Sequence, residues 1–428
     1  PRGRPVHAEA AADALIEPAA GSARRGVAWS RAPAVIVAAG CVITLAAFGI
    51  RAAMGLFLEP MTAFHGWSRA DFAFALAVQN LLWGVFQPLA GALADRVGPA
   101  RVLAGGLVVY AVGTAAMALA PTPLWLVLTA GLVIGLGQAL AAFAIVLAAF
   151  ARLLAEARRS WAFGMATAAG SLGQFLVVPL GQTFIAQFGW FDALWLLGAC
   201  LVLVLPLAWF LRTAPADREA SATVTNPLPL RRVLDRAVGH RSYQLLVAGF
   251  FVCGFHVAFI AVHLPAYLGD LGFAPAAGAG ALSLIGLFNV VGAYGSGLVA
   301  GRWSKTTLLS AIYLARALVL AAFMLLPPSA VSVYVFAALM GLLWLSTVPP
   351  TSGLVAVMFG VRHMAMLFGI VFFGHQLGAF IGVWLGGALF EAFGTYDPVW
   401  WLGVVLSLVA AALHWPIRER AAPMPASA

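Results

Sequence analysis

The chain carries little charge. Asp, Glu, Lys and Arg make up only 9% of its 428 residues, whereas they make up about 25% of a typical soluble domain. Hydrophobic residues account for 63% of the chain, against roughly 45–50% in soluble proteins. A soluble core could not bury this much apolar surface. The composition therefore excludes a soluble globular enzyme and favours a polytopic membrane protein.

Metal-binding and catalytic motifs are also missing. Cys41, Cys200 and Cys253 occur singly within apolar segments, without the close pairing that holds zinc. The sequence has no His-Glu-x-x-His, no phosphate loop of Gly-x-x-x-x-Gly-Lys type and no Gly-x-Ser-x-Gly. We therefore expect no enzyme activity, no metal and no cofactor.

Long apolar segments fill most of the chain. Each is about 20 to 29 residues long, close to the roughly 20 that a helix needs to cross a hydrocarbon layer of about 30 Å. We predict an all-α membrane fold of twelve spans in two pseudo-symmetric six-helix bundles. The predicted spans are 33–57, 71–94, 101–120, 124–150, 160–188, 190–212, 242–269, 276–300, 306–326, 331–357, 363–391 and 396–416.

Polar segments divide the chain into regions. Residues 213–241 are the only long polar interruption, and they separate six predicted spans from six. We predict an N-terminal tail at 1–32, a first six-helix bundle at 33–212, a linker at 213–241, a second six-helix bundle at 242–416 and a C-terminal tail at 417–428. The segment GALADRVGPARVL at 91–103 has a weaker counterpart, GLVAGRWSKTTLL, at 297–309, which suggests duplicated halves.

Lys and Arg are concentrated on one side of the predicted bundle. The chain has 24 Lys and Arg residues, and 21 of them lie in the two tails and in the loops after even-numbered spans. The loops on the opposite side hold Arg69 alone. Cytoplasmic loops carry an excess of basic residues, so we expect cytoplasmic termini in a cell inner or plasma membrane. The basic residues that give the chain its net charge of +9 flank the spans and do not form one basic patch. We therefore expect no nucleic-acid partner.

The loop after the second span contains the pattern Gly-x-Leu-x-Asp-Arg-x-Gly, at Gly91, Leu93, Asp95, Arg96 and Gly98. This pattern resembles the signature loop of the major facilitator superfamily. The resemblance implies the twelve-helix fold of that superfamily and a role for this loop in latching the cytoplasmic gate. The repeated segment places Arg302 where the first half has Arg96, so the predicted gate residues are Gly91, Asp95, Arg96 and Arg302.

Residues 48–61, 66–98 and 164–176 resemble the monocarboxylate porter group within that superfamily. Arg51 falls where those porters keep a basic residue in the first span, which implies contact with the carboxylate. In the eighth span, Asn289 and Ala293 stand where porters of the group have an Asp and an Arg. The Asp–Arg pair that porters of this group carry in the eighth span is therefore missing from this sequence.

Two arginines lie within predicted spans. A charge at that depth costs about 3 kcal/mol on insertion scales, so such residues are functional candidates. A guanidinium such as that of Arg51 can hold a carboxylate through two parallel hydrogen bonds; the alternative is an ion pair between Arg51 and Glu59. Arg316, near the middle of the ninth span, must turn inward, toward either a polar network or the substrate.

Three histidines are candidates for binding substrate and carrying protons. His256 and His263 are seven residues apart in one span, which places them on one helix face about 10 Å apart. His375 lies near the middle of the eleventh span. No Asp or Glu lies near the middle of any predicted span, and histidine titrates near neutral pH. The alternative is that a carbonyl or water satisfies each histidine.

Amide side chains complete the candidate substrate-binding set. They can orient a ligand, but they also join helices directly. The candidates are Asn80, Gln138, Gln174 and Asn289.

The expected function is proton-coupled symport of a small organic anion, a monocarboxylate, by alternating access in a monomer. The alternative is export of drugs or other toxic compounds by the same fold. The sequence leaves the direction of transport open.

Overall fold

The computed structural model describes residues 32–213, 235, 237–360 and 364–421. Most of the predicted N-terminal tail, most of the linker and residues 422–428 lie outside the described residues, as do several of the arginines that suggest the orientation. Within the described ranges every regular element is a helix, which confirms the all-α prediction.

Eleven helical runs of the described residues are long and apolar enough to cross a membrane. One of them, Trp161–Leu211, contains 51 residues, too many for one crossing at 1.5 Å per residue. Gly189 inside it has φ 81°, a conformation that favours glycine, and it divides the run into two spans. The twelve helices are α1 Pro33–His65, α2 Arg69–Val97, α3 Pro99–Ala118, α4 Pro123–Leu153, α5 161–188, α6 190–211, α7 Arg241–Asp270, α8 Pro275–Ala300, α9 Lys305–Leu325, α10 Ala330–Phe359, α11 Met366–Phe393 and α12 Asp397–His414.

Helix α10 is interrupted at mid-length. Its first segment ends at Leu343 and its second begins at Val348. Pro349 and Pro350 follow directly, and a proline both lacks an N–H and disfavours helical backbone in the residue before it. The break leaves the carbonyls at the end of the first segment without partners within the helix, and they need others.

The first six helices contact the last six through α1 and α7, α2 and α11, and α5 and α8. Glycine allows two of these close approaches. A Cβ added at Gly55 would lie 2.2 Å from the Ala261 carbonyl oxygen, and one added at Gly387 would lie 2.8 Å from the Ala70 Cα. Small residues let membrane helices pack backbone to backbone. We call the end of the bundle that holds Arg69 the Arg69 end and the opposite end the Asp95 end.

Candidate functional site

A small cavity lies at mid-depth between α1 and α2 on one side and α7 on the other. It has room for about one or two water molecules. A ligand larger than water therefore requires the surrounding helices to move apart. The lining residues are Arg51, Met54, Leu76, Gln79, Asn80, Ala258, Ala261 and Val262.

Arg51 supplies the charge of this cavity. Its Nη2 donates to Asn80 Oδ1 at 2.9 Å, and its Cζ lies 4.8 Å from the centre of the Trp83 ring. Its Nε is buried without a hydrogen-bond partner. The ion pairs of the described residues join other side chains, so the alternative pair of Arg51 with Glu59 is not formed. The guanidinium has neutral partners and can accept an anion.

Asn80 connects Arg51 to helix α11. Its Nδ2 donates to the Leu76 carbonyl at 2.8 Å, which holds the side chain with its Oδ1 toward Arg51. Its own carbonyl accepts from Gln376 Nε2 at 3.2 Å. His375 Nδ1 in turn lies 3.0 Å from Gln376 Oε1. A continuous series of contacts therefore runs from Arg51 to His375 across the two groups of helices.

Gln138 lies one layer behind the cavity. Its Nε2 donates to Gln79 Oε1 at 3.3 Å and to the Tyr110 hydroxyl at 3.2 Å. Gln79 lines the cavity and donates to the Ala130 carbonyl at 2.8 Å. Gln138 therefore joins α2, α3 and α4. Gln79 rather than Gln138 reaches the cavity.

His256 and His263 turn away from the cavity. His256 Nε2 donates to the Gly403 carbonyl at 2.9 Å. His263 Nε2 donates to the Val383 carbonyl at 2.9 Å, and its Nδ1 accepts from the Tyr396 hydroxyl at 3.1 Å. Both rings are buried against α11, α12 and the residue before α12. His263 is thus a satisfied helix histidine, whereas His256 Nδ1 is buried without a hydrogen-bond partner. The predicted substrate and proton roles of both stay predictions.

Gln174 and Asn289 lie where α5 meets α8. Gln174 Nε2 donates to the Leu282 carbonyl at 2.9 Å. Asn289 Nδ2 donates to Ser171 Oγ at 2.9 Å, and its Oδ1 accepts from the Leu345 N–H at 3.0 Å. Neither side chain is among the cavity-lining residues. Both join helices across the interface.

Arg316 is fully buried and points inward, between α7, α9 and α10. Its Nη2 donates to the Leu343 and Trp344 carbonyls at 2.5 Å each, and its Nε donates to Leu343 at 3.2 Å. These are carbonyls that the break in α10 leaves without helical partners. Arg316 therefore caps the first segment of α10 and does not line the cavity.

The signature loop lies at the Asp95 end. Asp95 forms an ion pair with Arg152, at the end of α4. Gly98 has φ 95°, so glycine permits the tight turn into α3. Arg96 and Arg302 are exposed. A Cβ at Gly91 would meet nothing within 4 Å, so Gly91 serves no close helix approach here. The gate function of these residues stays a prediction.

Arg69 joins the two groups of helices at the other end. Ser68 and Asp71 form a reciprocal capping box that fixes the start of α2. The Arg69 guanidinium makes two hydrogen bonds to Asp270, at 2.6 and 2.7 Å, and the Arg69 N–H donates to Glu391 at 2.9 Å. In the sequence, Arg69 is distinguished only as an exception in the charge count. We call Arg69, Asp270 and Glu391 the Arg69 clasp.

We expect Arg69→Gln to loosen the Arg69 end without unfolding the protein. The pair with Asp270 is bidentate but partly exposed to solvent, with 15% and 36% of the two side chains accessible, so it contributes about 1 kcal/mol. Amide hydrogen exchange in the first turn of α2 and the last turn of α7 should accelerate roughly fivefold. Asp270→Asn should give the same change, and the double variant should add little.

Arg158→Gln provides a matched control, because Arg158 is an exposed arginine near the Asp95 end. It should leave exchange at the Arg69 end unchanged. Strictly additive effects of Arg69→Gln and Asp270→Asn would show that the two side chains do not act as one clasp.

The sequence matches one family model over more than half of its length. The Major Facilitator Superfamily model matches residues 39–364. The uncharacterized MFS-type transporter YcxA of Bacillus subtilis (strain 168) is 25% identical over 347 residues, covering 78% of this chain and 83% of that protein.

Several matching relatives are named monocarboxylate transporters. Monocarboxylate transporter 13 of Rattus norvegicus is 27% identical over 58% of this chain and 57% of its own length. Monocarboxylate transporter 3 of the same species is 29% identical over 62% of this chain and 55% of its own length. The chain thus spans little more than half the length of these two transporters.

A solved structure has the same fold. It is a bacterial homolog of the human lysosomal transporter Spinster, in an inward-facing and occupied conformation. The structures superpose with a TM-score of 0.67 at 14% sequence identity, over 89% of this chain and 96% of that one. At this identity the similarity concerns the fold alone.

Proposed function

Since the chain belongs to the Major Facilitator Superfamily, we propose that it transports a small monocarboxylate across a membrane by alternating access, with a proton in symport. In this proposal the protein acts as a monomer in the cell inner or plasma membrane, with both termini in the cytoplasm. The superfamily and the transmembrane helices define a membrane transporter, and its relatives include monocarboxylate transporters. The identity of the substrate, the coupling to a proton and the alternating-access cycle are what we propose.

The Arg51 guanidinium is the observation that carries the proposal. It lines the mid-depth cavity, has a neutral hydrogen-bond partner in Asn80, and keeps a buried N–H without a partner. A buried cation is costly unless it is paired. A carboxylate would pair with it through two charge-assisted hydrogen bonds, and the site offers one arginine for one carboxylate.

The other cavity walls suit a short apolar chain. Ala258, Ala261 and Val262 line the α7 side, and Met54 and Leu76 line the opposite side. The small cavity favours a short tail, and the apolar side chains favour a hydrocarbon tail over a hydroxylated one. We infer an acid with a short apolar tail that lies against α7 while its carboxylate lies at Arg51.

The Arg69 clasp and the signature loop suit a transport cycle. The clasp joins the two groups of helices at one end, while the Asp95–Arg152 pair is made within the first group at the other end. In our proposal the Arg69 clasp must break in the conformation that opens the cavity toward the Arg69 end, and it must form in the conformation that is closed at that end. The cavity, with room for only one or two waters, must widen as the substrate enters.

Transport by the purified protein in vesicles tests the proposal. With an acidic exterior, vesicles that contain the protein should accumulate labelled short-chain monocarboxylates above the level of protein-free vesicles, and a protonophore should abolish the accumulation. Dicarboxylates should not compete, because the cavity wall offers a single cation.

Transport of a hydrophobic cationic dye, together with indifference to every carboxylate offered, would contradict the proposal. That result would support the alternative, an exporter of toxic compounds.

A further inference from the structure

A buried polar cluster lies one layer behind the cavity, within the last six helices. Four helices contribute one side chain each: Cys253 from α7, Arg316 from α9, Thr347 from the break in α10 and His375 from α11. At most 6% of each residue is accessible to solvent. We call these four residues the Cys253 cluster.

Arg316 gives the cluster a positive charge that is incompletely neutralised. Its Nη2 and Nε bond to the carbonyls at the break in α10, where the end of a helix carries partial negative charge. Its Nη1 is buried and has no hydrogen-bond partner. A second group with negative charge at this place would therefore be stabilised.

The Cys253 thiol lies beside the same guanidinium, at Nη2 rather than at the unpartnered Nη1. Its Sγ lies 3.6 Å from Arg316 Nη2 and 3.2 Å from Thr347 Oγ1, and His375 is the other ionisable group acting on it. Helices α7 and α11 touch here, since a Cβ added at Gly254 would lie 1.8 Å from the His375 carbonyl oxygen. A guanidinium beside a thiol stabilises its thiolate form.

His375 links the cluster to the cavity. Because Gln376 Nε2 donates to the Asn80 carbonyl, its Oε1 faces His375, and His375 Nδ1 must be the donor in their 3.0 Å contact. Nε2 is then the nitrogen without a proton in the neutral ring. The Asn80 side chain in turn accepts from Arg51, so a change at His375 reaches the arginine of the cavity through two amides.

We propose that the Cys253 cluster is the proton-binding site that couples transport to pH. In the unloaded form a Cys253 thiolate pairs with Arg316 and His375 is neutral. A proton taken up by the cluster is shared between Cys253 Sγ and His375 Nε2, which raises the net charge of the cluster by one. Its release restores the thiolate–guanidinium pair. This inference rests on the proposed function, whose carboxylate site is separate.

The titratable groups around the cluster are few among the described residues. Tyr313 lies on the same helix as Arg316 and donates to the Gly249 carbonyl. His256 lies on α7 within the electrostatic influence of Arg316, and His414 of α12 stacks on Tyr313. On the side of the cluster that faces α2, the neighbouring side chains are amides, those of Gln376 and Asn80. The proton is therefore assigned to Cys253 and His375, the titratable pair between Arg316 and the cavity.

Two transport measurements separate proton coupling from carboxylate binding. Exchange of labelled for unlabelled carboxylate at equal pH needs no net proton movement, whereas accumulation under a pH gradient does. We expect His375→Gln and Cys253→Ala to keep exchange and to lose accumulation, down to the level of protein-free vesicles. His65→Gln, a histidine at the Arg69 end whose ring stacks on Trp67, should keep both.

The thiol can also be titrated without any transport. In a Cys41→Ala, Cys200→Ala background, Cys253 is the only thiol of the chain, and its thiolate absorbs in the ultraviolet. We expect a thiolate signal at neutral pH in the purified protein. It should disappear in Cys253→Ser, and His375→Gln should displace its titration midpoint.

Two results would overturn the proton site. One is a thiol that stays protonated throughout the pH range in which the protein is folded. The other is parental pH-driven accumulation by His375→Gln and Cys253→Ala. If the parent protein exchanges no carboxylate, the proposed function fails, and the thiol titration still decides whether the cluster binds a proton.

Discussion

Arg51→Ala should abolish pH-driven monocarboxylate uptake while leaving the protein folded. A hydrogen bond to a charged group contributes about 1.5–3 kcal/mol, and the substitution removes the donors for both carboxylate oxygens. Two such bonds contribute about 3–6 kcal/mol, so uptake at low substrate concentration should fall by roughly a hundredfold or more. Arg51 also sets the sign of the cavity charge, because it is the one cation among the described residues that line the cavity. The measurement is initial uptake into vesicles that contain equal amounts of parent and variant protein.

Arg51→Lys is the informative companion variant. It keeps the charge but loses the planar fork that holds two carboxylate oxygens. We expect an intermediate loss, expressed mainly as a higher KM. Asn80→Ala should produce a smaller loss than Arg51→Ala, because Asn80 orients the guanidinium and does not replace it. Parental uptake by Arg51→Ala would remove the arginine from the mechanism.

Arg316→Met should strongly destabilise the fold. Replacing a buried ion by an apolar residue is often neutral when its partner is replaced too. Here the partners include the backbone carbonyls of Leu343 and Trp344, which no side-chain substitution removes. Each carbonyl left without a donor costs about 1–3 kcal/mol. The free energy of unfolding should therefore fall by about 2–6 kcal/mol, which is measurable by thermal denaturation in detergent.

Arg158→Met is the control for that measurement, because Arg158 is exposed and should be replaceable within about 0.5 kcal/mol. Arg316→Lys should lie between the two, since one ammonium can reach fewer carbonyls. An unchanged melting temperature for Arg316→Met would show that water caps the break in α10 equally well.

The membrane fold follows almost entirely from composition and segment length. The predicted span ends at residues 188 and 212 agree with a run that Gly189 divides and that ends at Leu211. The first helix was predicted too short, because it continues through a 3-10 turn at Met54–Phe57 to His65. Hydropathy locates the apolar layer. It carries less information on a helix that extends beyond that layer.

The break in α10 could have been anticipated from its local sequence. Two adjacent prolines, Pro349 and Pro350, follow it, and proline disfavours helix in the preceding residue. The buried Arg316 was expected to turn inward, and it does. Its partners are backbone carbonyls of another helix, which no pattern of side chains in the sequence can indicate.

The placement of the histidines shows what periodicity leaves undetermined. A spacing of seven predicts that His256 and His263 share a helix face, and their rings bond to Gly403 and Tyr396 on the α12 side. Periodicity does not say which neighbour that face meets. Only the packing of the helices decides between the cavity and α12. The same limit applies to Gln138, which lies behind Gln79.

The sequence contains an indication of the Arg69 clasp, but counting charges does not show what it means. Arg69 is the single basic residue of the predicted loops on its side, and such an exception to a charge bias indicates a structural or functional role. Its partners Asp270 and Glu391 lie more than 200 residues away along the chain. That distance puts the pairing beyond local sequence reasoning.

The central claim is that a monocarboxylate binds at Arg51, and an experimental structure with a bound short-chain acid tests it most directly. We predict a widened cavity between α1, α2 and α7, with both carboxylate oxygens within hydrogen-bond distance of the Arg51 guanidinium and the apolar tail against Ala258 and Ala261. A carboxylate bound elsewhere in the protein, with Arg51 still bonded only to Asn80, would contradict the account.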